Sequence, residues 1–129
     1  MTDKEFLHAF ETTDLSEADF NHAAHVRAGF LLIHRHGFSR ALAHYCEALR
    51  ALTEHFGVPE KYHETITIAY LALINEQISH DPGGNWTAFC KAHPDVFSKE
   101  ALAVFYTPAQ LATPQARATF ILPRPGQRP

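Results

Sequence analysis

Long apolar runs, paired cysteines, strand-like alternation and an excess of basic charge are all missing from this 129-residue chain. No stretch approaches the roughly 18 residues that span a bilayer, so no membrane partner is expected. The two cysteines, Cys46 and Cys90, lie far apart with no CxxC spacing. Each falls on the apolar side of its expected helix and reads as a reduced core thiol. A formal net charge of −3 provides no basic field for nucleic acid. Residues 1–20 carry Asp3, Glu5, Glu11, Asp14, Glu17 and Asp19 against Lys4 alone, which argues against a signal or transit peptide and leads to a cytoplasmic expectation. Gly-rich phosphate loops, a haem-attachment CxxCH and Ser-His-Asp or Cys-His signatures are absent too.

What remains is an ordinary globular composition, 46% hydrophobic and 19% charged, long enough for one domain with its own core. Every long segment has helical periodicity. A first helix is predicted over Asp3 to Phe10, with Phe6 and Phe10 on one face. Ser16 is a candidate N-cap, with Asp19 at the capping-box position, for a second helix that runs to His36 and stops at Gly37. Ser39 opens a third, amphipathic helix ending at Gly57, with His44 and His55 on its solvated side. Pro59 lies in the next link, and a fourth helix spans about Glu60 to Ser79. Beyond the His80–Asn85 loop come shorter helices, Trp86 to His93 and Ser98 to Tyr106. Thr107-Pro108 and Thr113-Pro114 each pair a capping Thr with a Pro at the first helical position, which predicts two single turns. The expected architecture is all-α: a four-helix-bundle-like core over residues 1–122 with short C-terminal helices, then an extended Pro/Arg-rich tail over 123–129.

Histidine is the residue in excess, at ten copies. His22, His25, Gly29, Leu32 and His36 share one stripe of the second helix, and Phe20, Ala24, Arg27 and Leu31 share the opposite one. Gly29 costs helix stability by roughly 1 kcal/mol relative to Ala, which makes sense where a ligand or a close helix needs room. In the fourth helix His63 and Thr67 fall within the arc of Tyr62, Ile66, Tyr70, Leu73 and Ile74. In an up-down bundle these two helices run parallel, so both histidine sets meet at one end.

Buried imidazoles must find partners or form a site. An i,i+3 pair such as His22 and His25 can converge on one divalent metal, zinc or iron, with His63 as third ligand. Glu64 is then a ligand or a general base beside metal-bound water, with Tyr62 close by. Arg27, Thr67 and Tyr70 are candidate substrate-binding groups. The leading expectation is a small metal-dependent enzyme acting on a small polar metabolite. One alternative is a metal-free pocket whose histidines hold an anionic ligand or act as acid and base. Another is a non-catalytic ligand-binding or dimeric protein with a buried histidine network; the sequence permits a homodimer without requiring one.

The blocks FNHAAHVRAGFLL, YHETITIAYLALI and VFYTPAQLATPQARATFILP, in this order, resemble an uncharacterised family of small bacterial all-helical proteins over residues 15–123. The resemblance supports the helical fold and implies no activity or cofactor. Its blocks fall on His22, His25, Tyr62, His63, Glu64 and Thr67, and on Tyr106, Pro108 and Arg117. The ending LPRPGQRP departs from the family's pattern.

Overall fold

A computed structural model describes residues 1–124 except Pro82 and Lys99; residues 125–129 of the expected tail lie outside the described residues. Seven α helices are present among them: α1 (Asp3–Glu11), α2 (His22–His36), α3 (Phe38–His55), α4 (Glu64–His80), α5 (Trp86–Ala92), α6 (Pro108–Leu111) and α7 (Pro114–Ala118). The architecture is the expected all-α one. Thr2 and Glu5 form a full capping box at the start of α1. Gly37, at φ 80°, ends α2 and leads directly into α3, a backbone conformation that costs glycine little. Thr107 and Thr113 cap α6 and α7 as the Thr-Pro pairs predict.

Four boundaries differ from expectation. α3 begins at Phe38 with Gly37 as its N-cap and no side-chain capping bond, so Ser39 lies inside the helix rather than opening it. Ser16 does cap a turn, since its Oγ accepts from the Asp19 amide, but that turn closes at Phe20. The continuous helix starts at His22 under an Asn21 cap. Pro59–Lys61 forms a separate 3₁₀ turn, so α4 begins at Glu64 with His63 as its N-cap. Where a helix was expected over Ser98–Tyr106, residues 100–105 form a run of turns with i→i−3 bonds, such as Ala103 to Glu100 and Phe105 to Leu102. Its start is diverted because Ser98 Oγ takes the Glu100 amide, a local bond that competes with helix.

α2 is the central element and packs on α1, α3, α4 and α5. Gly29 explains how it can: a Cβ there would lie 2.9 Å from Leu71 Cδ1, 3.0 Å from Ile74 Cδ1 and 3.8 Å from Tyr45 Cε1. The missing side chain makes room for a close helix rather than a ligand. Around this crossing, Val26, Leu32, Tyr45, Leu52, Leu71 and Ile74 are fully buried. His22 meets Tyr70, and further along both chains Gly29 meets Leu71 and Ile74, so α2 and α4 advance in the same sense. His44 is paired with Glu11 at 3.2 Å and stacked on His36 at 4.3 Å, not simply solvated.

The C-terminal segment is fastened to α4. Thr65 Oγ1 donates to Thr119 O at 2.9 Å and accepts from Ile121 N at 3.1 Å. Tyr106 OH donates to Ile121 O, and Arg117 donates to the carbonyls of Glu60 and Tyr62. Tyr106 and Arg117 therefore have packing roles, which leaves one end of the bundle braced around the start of α4.

Candidate functional site

A cavity of about 230 Å³ opens where the first turn of α2, the C-terminal half of α3 and the entry to α4 meet. Leu49, Tyr45 and Ile66 give it apolar surface, and the rings of Phe20 and Tyr62 flank it. His22, His25, His63, Thr67 and Tyr70 add polar atoms, and the exposed Lys61 stands at its rim. Six residues that the sequence reasoning grouped, His22, His25, Tyr62, His63, Thr67 and Tyr70, line this one cavity. Their bonding differs from what it expected.

His25 is held by the start of its own helix. Its Nδ1 lies 2.8 Å from Asn21 O, and a carbonyl only accepts, so Nδ1 carries the proton and Nε2 keeps its lone pair. Phe20 stacks on the ring at 4.4 Å between centroids. Burial pushes the imidazole below the usual 6.5; the Asn21 hydrogen bond opposes this and His22 adds to it. The ring is therefore neutral at pH 7, and no described residue hydrogen-bonds Nε2.

His63 has the opposite tautomer. Nδ1 accepts from the Ile66 amide at 3.1 Å, and Nε2 donates to Leu111 O at 2.7 Å. Both nitrogens are used, one to cap α4 and one to hold the segment after α6. No lone pair is left for a metal, so the expected role of His63 as a ligand does not fit this arrangement.

His22 Nε2 lies 2.9 Å from Tyr70 OH, ring edge to ring face. Burial pushes the Tyr70 phenol up to about 12, so it stays protonated and able to donate. Thr67, only 8% exposed, lines the cavity with a hydroxyl that has no hydrogen-bond partner among the described residues. Tyr45, which sequence reasoning did not select, donates from its hydroxyl to His25 O at 3.1 Å and so joins α3 to the histidine-bearing turn.

Two groups of expected site residues lie elsewhere. Glu64 does not line the cavity: its Oε1 accepts from Tyr62 OH at 2.6 Å and from Arg50 Nη2 at 3.1 Å. The Arg50 guanidinium also covers the Tyr62 ring at 4.8 Å. Burial, then the Glu64 hydrogen bond, raises the Tyr62 pKa far above the phenol range, which makes its hydroxyl a poor acid. Arg27 binds Asp3 Oδ1 through Nη2 at 2.7 Å and lies over Phe6 at 4.5 Å. It fastens α1 to α2 and is not available to a substrate in this cavity. Among the described residues, no three His, Cys, Asp or Glu side chains group as a metal-holding set.

Phe20 and Lys61 were legible only in part. Phe20 had been placed on the stripe opposite the histidines, but the non-helical turn before Asn21 swings it onto His25. Lys61 lies in the proline-initiated link, where periodicity carries no directional information. Comparison with family models, curated proteins and solved structures finds no match to this chain.

Proposed function

We propose that this protein binds a compact organic molecule in the cavity between α2, α3 and α4, with His25 Nε2 as the proton acceptor that orients it. The observation that carries this reading is a neutral imidazole that lines an otherwise largely apolar space with one nitrogen committed and the other unengaged. A satisfied core network would use both nitrogens, as His63 does. A volume of about 230 Å³ is below the roughly 300–1,000 Å³ of drug-sized sites, which favours a small metabolite. Thr67 and the Tyr70–His22 pair supply further donors and acceptors on neighbouring turns.

The test is a titration with small aromatic alcohols, amides and acids, followed by imidazole ¹⁵N and Thr67 methyl shifts and by melting temperature. Zinc and ferrous iron are titrated in parallel. A cavity ligand should move the His25 Nε2 and Thr67 signals together and raise the melting temperature with concentration. Compounds that bind without moving those signals would overturn the proposal. Stoichiometric zinc or iron binding through His22 and His25, with no organic binder, would overturn it in favour of the metal enzyme expected from the sequence.

A further inference from the structure

We infer that the molecule this cavity takes is an organic monocarboxylate that also carries a hydroxyl, its charged end toward Lys61, its hydroxyl donating to His25 Nε2 and its apolar body against Phe20 and Leu49. The inference rests on the ligand-binding proposal and adds the charge of the ligand to it.

The first argument is the sign of the surroundings. Every ionisable side chain lining the cavity is a histidine, a tyrosine or Lys61; no aspartate or glutamate lines it. That is notable in a chain whose formal charge is −3. Glu60 and Glu64 are the nearest acidic groups in sequence; neither lines the cavity, and Glu64 is paired with Arg50. Glu17 and Asp19 in the turn before α2 are also outside it. Among the described residues no carboxylate pairs with Lys61, so its charge is not neutralised locally.

The second argument is the direction of the helices. α2 is 15 residues long and α4 is 17, and both present their N-terminal turns to this space. The positive ends of α2 and α4 therefore both border the cavity, against the single C-terminal turn of α3 at Thr53. The first turn of α2 carries no acidic residue to offset its positive end. Independently of the helix ends, Thr67 is 8% exposed with an unpartnered hydroxyl lining the same space, a donor suited to an acceptor oxygen. The apolar walls favour a carboxylate over a phosphate, whose additional oxygens would need donors that Leu49, Ile66 and Phe20 cannot supply.

Calorimetric titration with 4-hydroxybenzoate, its neutral isostere 4-hydroxybenzamide and 4-hydroxyphenyl phosphate (benzoate, benzamide and phenyl phosphate below), all of which keep a hydroxyl donor for His25, tests the inference on wild type and on Lys61→Gln. Lys61 is exposed and its side chain enters no described ion pair, so the variant should fold; its circular dichroism and melting curve check this. Benzoate should bind about tenfold or more tightly than benzamide, lose most of that margin in Lys61→Gln, and weaken as salt rises. Equal binding of benzoate and benzamide would overturn the charge assignment and leave the cavity proposal standing. Tighter binding of phenyl phosphate than benzoate would overturn the choice of carboxylate. Failure of all three, together with failure of the broader compound titration, would overturn the cavity proposal as well.

Discussion

Replacing Gly29 with alanine sets two effects of known size against each other. Removing glycine from a helix interior gains about 1 kcal/mol from backbone entropy. The new methyl would sit 2.9 Å from Leu71 Cδ1 and 3.0 Å from Ile74 Cδ1, both inside ordinary contact distance. Those atoms are side-chain tips, but Leu71 and Ile74 are each 0% exposed, so shifting either tip disturbs the packed core around it. Overpacking of this kind costs about 1–3 kcal/mol. The clash should win, leaving Gly29→Ala about 1 kcal/mol less stable in urea unfolding, with a melting temperature about 3–4 °C lower. The same substitution in a Leu71→Ala background tests the cause, because the nearer obstacle is gone. There Gly29→Ala should be neutral or stabilising, with a coupling of about 1 kcal/mol or more between the sites. Stabilisation in the wild-type background, or identical effects in both, would refute the close-crossing argument.

His63→Ala removes the cap on Ile66 N and the bond to Leu111 O, so a loss of about 2–3 kcal/mol is expected in chemical denaturation. His63→Asn can restore the cap alone; its amides over 108–118 should still exchange faster than in wild type, and unchanged exchange would show that Leu111 is not held by the ring. Thr65→Val deletes both the donor to Thr119 O and the acceptor for Ile121 N at a fully buried position. It should cost about 2 kcal/mol in urea, while Thr65→Ser costs less. His25 predicts a pH dependence. Its folded pKa lies below the unfolded value of 6.5, so below pH 6.5 the unfolded chain takes up the proton first. The contribution is fully present above 6.5 and is lost as pH falls toward the folded value; His25→Gln should flatten that part of the stability profile, and an unchanged slope would contradict a neutral buried ring.

The helices were legible because their signals are local. Phe6 and Phe10 at four-residue spacing, the stop at Gly37 and the two Thr-Pro pairs each state a boundary through covalent geometry or a nearby cap. Where the signals competed, the reading failed. Ser16 looks like the start of α2, but its hydroxyl closes a turn on Asp19, and Asn21 provides the cap that the long helix uses. Ser98 diverts its own segment into turns in the same way. The cavity residues His22, His25, Thr67 and Tyr70 were found from two helical stripes and the parallel sense of α2 and α4. Glu64 was misplaced because helical periodicity assigns a face and not a partner, and its partners here are Arg50 on α3 and the hydroxyl of Tyr62.

By itself the sequence determined that the chain is helical, where most helices stop, and that imidazoles gather at one end of α2 and α4. These follow from side-chain spacing, which acts over one or two turns. Only the tertiary structure decided what each imidazole does. His63 and His25 are chemically the same side chain, and their tautomers are set by the acceptors they meet. His25 bonds a carbonyl four residues back, whereas His63 bonds one 48 residues away. The long-range contact uses the second nitrogen of His63 and makes it structural. Its absence at His25 leaves a lone pair unengaged on a ring that lines the cavity. Such contacts depend on where distant segments are docked, and no local pattern of residues encodes that position.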